Sequence, residues 1–201
     1  VCGQPDELAY TPDKTLNYEV GVKSTLMEGR LVLNGAAYFI EWTDPQVSSA
    51  TLIGLQPITK NGEAAESKGI EINFNAVVTD ELTLRGAYAY NHAELTETTE
   101  RLIPFITPPG FQSTVSYLDG EDGDRLPGSP EHQFALSGTY ERPIRPGLDL
   151  QVNYGVVAIS DVLTRTGNKG GGITLDSYTL HGASIGVSAD TWAVTLYVDN
   201  L

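Results

Sequence analysis

The 201-residue sequence is poor in sulfur and in basic side chains. It contains one cysteine, Cys2, and one methionine, which excludes a disulfide-stapled scaffold and any metal site built from cysteines alone. Lysine and arginine together number 12 against 26 acidic residues, so the formal net charge is −14. Binding to nucleic acid needs clusters of lysine and arginine against the phosphates. We therefore expect no nucleic-acid partner.

Long apolar runs are also missing. Runs such as Ala36 to Ile40 fall far short of the ~20 residues that a membrane-spanning helix needs, so no helical span is expected. Hydrophobic residues still make up 40% of the chain, which is too many for wholesale disorder. The segment from Val1 to Glu7 has neither the basic nor the apolar region of a signal peptide. We interpret Val1 as a cut end, left by removal of a signal or by truncation of a longer protein.

Apolar and polar residues alternate along most of the chain. Between Leu82 and Tyr90, leucine, glycine and tyrosine occupy the even positions, and threonine, arginine and alanine the odd ones. This period of two is typical of a β-strand with two different faces. Eight such segments predict strands at roughly 17–27, 30–42, 67–78, 82–92, 130–142, 148–160, 174–188 and 191–199. Because Tyr178 and Leu180 fall out of phase with Ile185 and Val187, we expect a β-bulge near Gly182.

The connections between these segments are alternately short and long. Short, turn-rich joints such as 28–29 and 143–147 alternate with connections at about 43–66, 93–129 and 160–172. Long strands, short turns and longer loops are typical of transmembrane barrels. The predicted fold is therefore all-β, an antiparallel up-and-down transmembrane β-barrel. Asn34, Asn73, Asn75, Arg85, Gln133, Gln151 and Asn153 are expected to face the lumen, and Phe74, Leu84, Phe134, Leu150 and Leu196 to face lipid.

Several segments resemble, in the same order, the barrel of TonB-dependent outer-membrane receptors. The similar stretches are 17–24 (NYEVGVKS), 29–39, 61–71 with its Lys-Gly-Ile-Glu, 82–90 (LTLRGAYAY), 125–132 (RLPGSPEH), 175–180 and 192–201. Each stretch is weak evidence alone, but together they cover the chain from about Asn17 onward. The resemblance implies a barrel of 22 strands with a plug in its lumen. We expect this chain to be a C-terminal part of such a barrel, with about eight strands and without the plug, the TonB box and the final strand.

The resemblance also implies a function. The expected protein is an outer-membrane receptor of a Gram-negative bacterium that takes up a scarce solute, such as a ferric siderophore, cobalamin or a glycan, by TonB-dependent active transport. Its expected partners are the TonB energy-transducing complex, reached through the plug, the lipid bilayer with its lipopolysaccharide, and a small-molecule ligand such as a metal chelate. No enzymatic activity, catalytic residue, cofactor or metal site is expected.

An alternative is a closed eight-stranded barrel, acting as a small outer-membrane or ligand-binding protein. Its narrow interior would have to neutralise Glu19, Lys23, Glu71, Arg85, Glu141 and Asp149, which all have lumen-facing parity. A wide lumen hydrates such charges at little cost, whereas a narrow one must pair them. The wide lumen is therefore the favoured prediction.

Three polar features have both a chemical and a plain interpretation. Four carboxylates in residues 119–124 have the oxygen chemistry of a Ca²⁺ site, but their spacing differs from that of an EF-hand, and a solvated acidic loop is favoured. In the glycine-rich segment 167–172 the lysine precedes no serine or threonine and no helix is expected to follow, so we predict a flexible loop instead of a phosphate-binding loop. His92, His132 and His181 have no metal-ligand spacing. The aromatic residues Phe105, Phe111 and Tyr117 lie on a long loop, where contact with a ligand is one interpretation and packing of the loop onto itself is the favoured one.

Overall fold

A computed structural model describes residues 9–51, 56–106 and 115–200, and these residues form strands and turns. Eight long strands make one antiparallel sheet: β1 (Lys14–Leu26), β2 (Leu31–Thr43), β5 (Ala64–Val77), β6 (Leu82–Leu95), β9 (His132–Arg145), β10 (Leu148–Ile159), β13 (Tyr178–Ala189) and β14 (Trp192–Asp199). In the part of the chain that the structure describes, no helix is long and apolar enough to cross a membrane. Each long strand overlaps one alternating segment of the sequence.

The long strands follow one another in space in the order in which they occur in the chain. Successive strands are joined alternately by a short turn and by a long loop, so the sheet has a turn end and a loop end. Each long loop carries a small hairpin: β3 (Gln46–Ala50) with β4 (Pro57–Asn61), β7 (Thr99–Ile106) with β8 (Val115–Gly120), and β11 (Val162–Leu163) with β12 (Thr174–Leu175). The up-and-down architecture confirms the predicted fold class.

The strand register separates the side chains into an apolar and a polar face. On one face Val20 stands opposite Ala37, Ala37 opposite Ile70, and Ile70 opposite Tyr90. On the other, Asn34 pairs with Asn73 and Arg85 lies between Asn75 and Ser137. The apolar face is open to its surroundings: Val20 is 73% exposed and Leu196 70%. Every residue predicted above for the lumen or for lipid has the parity of the expected face.

The predicted bulge near Gly182 is wrong. The pairing of β13 runs without a shift from Ile159–Tyr178 to Asp149–Ser188 on one side and from Gly182 to Ala189 on the other. Tyr178 and Leu180 therefore lie on the polar face, while Ile185 and Val187 lie on the apolar face. Within the described sheet, the pairing shifts between Leu148 and Asp149, beside the turn that joins β9 to β10.

The sheet is open. β1 and β14 are its two edge strands, and among the described residues they do not pair with each other. A closed eight-stranded barrel requires that pairing, so the geometry does not support the alternative of a small closed barrel. Open edges are expected if these eight strands belong to a wider barrel.

Hydrogen-bonded polar side chains cross the polar face from strand to strand. Thr139 donates to Asn153 at 3.0 Å, Asn153 donates to Ser184 at 3.1 Å, and Asn34 donates to Asn73 at 2.9 Å. Beside them a shallow hollow of about 650 Å³ runs along β6, β9, β10 and β13 over small residues. This face is polar, with a hollow over its small residues, as expected for the wall of an aqueous lumen.

Tyr38 crosses the polar face close to the loop end. It lies against Gly69, where an added Cβ would be 2.5 Å from the tyrosine hydroxyl and 2.2 Å from the carbonyl oxygen of Tyr90. The hydroxyl donates to Asn91 at 2.9 Å, and Ser67 donates to the same amide oxygen at 2.7 Å. Gly69 thus makes room for a polar contact that joins β2, β5 and β6.

Candidate functional site

The buried core of the described structure lies at the loop end, where the first two hairpins meet the ends of β2, β5 and β6. Leu95 at the end of β6 is fully buried against Ala65, Leu102 and Ile103, and Trp42, Val47 and Leu126 pack around them. Ala65, Leu95 and Trp42 have the parity of the polar face. The loop hairpins therefore fold inward over that face.

The first hairpin, β3–β4, is attached to the second, β7–β8, mainly through backbone acceptors. Ser49 donates from its hydroxyl to the carbonyl of Leu102 at 3.0 Å, and the hydroxyl of Tyr117 donates to the carbonyl of Ala50. Lys60 donates to the carbonyl of Glu100 at 2.6 Å. Burial, together with the nearby charge of Arg101, lowers the pKa of Lys60 below its ordinary value. These contacts make the two hairpins one packed unit.

Through its hydroxyl, Tyr117 joins its own loop to the neighbouring one, whereas the sequence predicted packing of the long loop onto itself. Phe105 pairs through its backbone with Ser116 on β8. Phe111 lies outside the described residues.

A cavity of about 440 Å³ lies between these hairpins and the end of β2. Its lining is mainly apolar, with Gln46 and Arg165 as the larger polar side chains. The lining residues are Trp42, Gln46, Val47, Ser48, Ser49, Ala50, Pro57, Leu102, Ile103, Pro104, Leu126, Pro127, Thr164, Arg165 and Thr166. A largely apolar concavity with a few polar groups is the usual form of a small-molecule site.

A lysine from a distant loop pairs with two of the four carboxylates in the acidic loop that follows β8. The Nζ of Lys169 lies 2.6 Å from Asp124 Oδ2, 2.7 Å from Glu121 Oε2 and 3.4 Å from the carbonyl oxygen of Asp119. Burial, the largest single effect, lowers the pKa of Lys169, but the hydrogen bonds and charges of Asp124 and Glu121 together outweigh it and raise that pKa. The oxygens that the sequence offers to a metal cation thus hold an ammonium group. Asp119, Glu121 and Asp122 are exposed and Asp124 is half-buried, which is compatible with the predicted solvated loop.

The glycine-rich segment 167–172 is packed against the second hairpin, which differs from the flexible loop predicted. Gly167, at φ +58°, donates its amide to the carbonyl of Arg125 at 3.0 Å, and an added Cβ there would meet Asp124 at 2.3 Å. Arg165 donates to the carbonyls of Pro104 and Gly170 at 2.6 and 2.8 Å. These contacts join the second and third loops on one side of the cavity.

On the apolar face, beyond the last apolar rows at the loop end, charged side chains form a continuous chain. Lys68 lies 2.7 Å from Glu66 and 3.2 Å from Glu94, and His92 Nε2 lies 3.0 Å from Glu94. His92 Nδ1 hydrogen-bonds Glu131. Arg125 continues the chain, at 2.8 Å from Glu131 and 3.3 Å from Asp161. The order Glu66, Lys68, Glu94, His92, Glu131, Arg125, Asp161, hereafter the rim chain, alternates acidic and basic groups without a break.

The other two histidines pair with tyrosines on the apolar face. His132 Nδ1 lies 2.8 Å from the hydroxyl of Tyr88, with the Tyr90 ring 5.1 Å away, and His181 Nδ1 lies 2.6 Å from the hydroxyl of Tyr154. Groups of three or more histidine, cysteine or carboxylate side chains suited to a metal ion do not occur among the described residues. The described histidines therefore take part in hydrogen bonds and ion pairs.

The family comparison decides what this open sheet is. A family model described as "TonB dependent receptor-like, beta-barrel" matches residues 4–201. The chain belongs to this family. The resemblance predicted from the sequence is confirmed, and with it the transmembrane-barrel fold. Members of the TonB-dependent receptor family are outer-membrane proteins of Gram-negative bacteria.

A curated relative and two solved structures are similar to the chain. It is 31% identical over 133 residues to the metal-pseudopaline receptor CntO of Pseudomonas aeruginosa, which covers 66% of this chain and 16% of that protein. It also resembles the ferric yersiniabactin uptake receptor FyuA of Yersinia pestis, with TM-score 0.68 and 18% identity over 96% of this chain and 25% of FyuA. For BauA, the ferric preacinetobactin receptor of Acinetobacter baumannii, the TM-score is 0.65 and the identity 19% over 98% of this chain and 27% of BauA.

These relatives are receptors and not enzymes, which confirms the expectation of a non-catalytic protein. The chain spans about a sixth of the length of its curated relative and about a quarter of FyuA.

Proposed function

We propose that this chain forms part of the barrel wall and three extracellular loops of an outer-membrane receptor for TonB-dependent uptake of a metal chelate. The observation that carries the proposal is the cavity at the loop end, between the inward-folded hairpins and Trp42. Its position over the polar face puts it at the mouth of the lumen. The names of the related receptors, which refer to metal-pseudopaline, ferric yersiniabactin and ferric preacinetobactin, support a metal chelate as the ligand.

In this proposal the loop end of the sheet faces the outside of the cell. Transmembrane barrels have longer loops on the extracellular side, shorter turns on the periplasmic side and an aromatic belt at each interface. On the apolar face, Tyr90 and His132 stand near the loop end, and Tyr140 and Trp192 near the turn end. From 132 to 140 the strand covers about 27 Å, which is close to the apolar band of about 25 Å that such a barrel presents.

The cavity favours a ligand with an apolar or aromatic part and a polar group that Arg165 or Gln46 can reach. Burying aromatic surface supplies binding energy, and a few polar groups fix the orientation. The guanidinium of Arg165 is already held by two carbonyls, which preorganises its charge near the cavity.

Energy for uptake comes, in this proposal, from the TonB complex acting on a plug in the lumen. The described residues form strands and loops of the wall, so the contact with TonB rests on family membership. The polar face of the sheet, with its small side chains and amide network, is the surface that the plug and the passing ligand would meet. Lipids and lipopolysaccharide would cover the apolar face.

Filling the cavity should abolish uptake. Val47 lines it, and replacement by tryptophan adds an indole where the ligand is expected; Thr59, exposed on the same hairpin and outside the lining, gives the matched control. With radiolabelled ferric yersiniabactin, ferric preacinetobactin and a ferric catecholate as probes, we expect saturable uptake of at least one chelate by the intact protein. Val47→Trp should lower that uptake at least about tenfold, since displacing a ligand from its pocket costs more than about 1.4 kcal/mol, and Thr59→Trp should leave it unchanged.

The comparison requires equal amounts of assembled protein in the outer membrane. Normal uptake by Val47→Trp would contradict the placement of the ligand in this cavity. Failure of every probe to be taken up by the wild-type protein would contradict the assignment to metal chelates.

A further inference from the structure

The rim chain joins four parts of the loop end that are separated in sequence. Glu66 and Lys68 belong to β5, His92 and Glu94 to β6, and the remaining members to the segments before β9 and after β10. The central side chains are largely covered, with His92 24% exposed, Glu94 22%, Glu131 25% and Arg125 17%, whereas Lys68 and Asp161 are each 46% exposed. Charges packed this closely hold their positions only while the signs alternate.

Backbone hydrogen bonds attach the same loop to the end of β6. Leu95 donates to the carbonyl of Asp124 at 2.9 Å, Gly123 donates to that of Leu95 at 2.8 Å, and Leu126 donates to that of Ala93 at 2.8 Å. Residues 123–126 therefore extend the sheet beside β6, beyond the point where β9 begins. The rim chain covers this added segment on the apolar side.

His92 is the one member of the rim chain that changes charge near neutral pH, because histidine is the side chain whose ordinary pKa lies in that range. Its two ring nitrogens face carboxylates on different elements, Glu94 on β6 and Glu131 in the loop. Both contacts are satisfied only by the imidazolium, which has two N–H donors, whereas the neutral ring has one.

We propose that His92 makes the rim chain a pH-sensitive clasp, which in its protonated form fixes the loop segment 121–131 to the ends of β5 and β6. Loss of the proton leaves Glu94 and Glu131 facing a neutral ring with one donor. Three carboxylates, Glu66, Glu94 and Glu131, then share Lys68 and Arg125, and Asp161 adds a fourth. The clasp weakens, and the segment beside β6 opens more often.

The direction of the pH dependence follows from the groups that face His92. Lys68, its cross-strand partner on β5, disfavours the imidazolium, as does partial burial. Glu94 and Glu131 favour it. Tyr90 and His132 form the neighbouring pair on the same face, toward the turn end. The hydrogen bonds to Glu131 and then Glu94 dominate and raise the pKa of His92, which lies beyond the aromatic belt. A group with a raised pKa in the folded state stabilises that state below its unfolded pKa and loses this effect as pH rises through the folded pKa. The clasp is therefore closed at acidic pH and loosens toward alkaline pH.

Hydrogen exchange of the intact protein in lipid vesicles tests the clasp. The readout is the protection of the Gly123, Leu126 and Leu95 amides, corrected for the intrinsic pH dependence of exchange, between about pH 5 and about pH 8. In the wild type we expect protection to fall roughly fivefold, the scale of a partly exposed ion pair. His92→Gln should show no such fall, and His132→Gln, whose ring faces Tyr88, should keep it.

If His92→Gln fails to assemble, the same hydrogen-exchange measurement on Glu131→Gln supplies a second readout. Between the two pH values, amide protection in Glu131→Gln is expected to fall less than in the wild type. Constant protection in the wild type across this pH range would overturn the proposal. So would a full fall in His92→Gln or in Glu131→Gln, or loss of the effect in His132→Gln.

Discussion

Replacing Leu95 with alanine should release the loop hairpins from the sheet. Leu95 is fully buried, and it contacts the three residues that hold the core together, Ala65, Leu102 and Ile103. A buried leucine-to-alanine change costs about 2–5 kcal/mol, because contacts are lost and a cavity is left. The core here is small, so a loss of that size exceeds what the remaining contacts can offset.

The expected result is local. Backbone amides of β7 and β8 should lose protection from hydrogen exchange, while those at the centres of β5 and β6 keep theirs, since the long strands are held by their own ladders. Leu196→Ala is the matched control, because Leu196 is 70% exposed on the apolar face and its loss opens no cavity. Exchange in β7 and β8 equal to that of the wild type would show that Leu95 does not anchor the hairpins.

Arginine at position 72 should block assembly of the barrel, whereas arginine at the next position should be tolerated. Ile72 lies on the apolar face near the middle of β5, and Asn73 lies on the polar face. A basic residue that faces lipid at the membrane midplane costs about 2–4 kcal/mol, while one that faces the lumen is hydrated. Asn73→Arg also gives up the hydrogen bond from Asn34, so this control is biased against the prediction.

The amount of folded protein in the outer membrane, measured by its resistance to denaturation by detergent without heating, reports the difference. We expect Ile72→Arg to reduce this amount strongly and Asn73→Arg to leave most of it. Equal yields of the two variants would mean that the two faces of the sheet do not meet lipid and water as assigned.

The long strands were predictable from the sequence because each has one face for lipid and one for water. That difference imposes a period of two over ten or more residues, as in 82–90, and it survives occasional exceptions such as Val32. The pattern failed at Tyr178 and Leu180, where two apolar residues on the polar face imitated a bulge. Only the cross-strand register distinguishes a true bulge from a regular strand with apolar residues on its polar face.

The loop end was much less predictable. The hairpins β3–β4, β7–β8 and β11–β12 pack against each other and not against one uniform surface, so their side chains show no regular period. Lys169 meets Asp124 across 45 positions, and His92 meets Glu131 across 39; a single sequence carries no signal for such pairs. His92 and Glu94 are the exception, since alternation places residues two apart on the same face of a strand.

The orientation of the sheet in the outer membrane is the claim on which the receptor assignment depends most directly. Labelling of single cysteines in intact cells with a membrane-impermeant thiol reagent tests it, in a background with Cys2→Ser. We predict that Asp122→Cys, in the acidic loop at the loop end, reacts in intact cells, and that Glu28→Cys, in the turn between β1 and β2, reacts only after the outer membrane is permeabilised. Reaction of Glu28→Cys in intact cells, or protection of Asp122→Cys, would contradict the account.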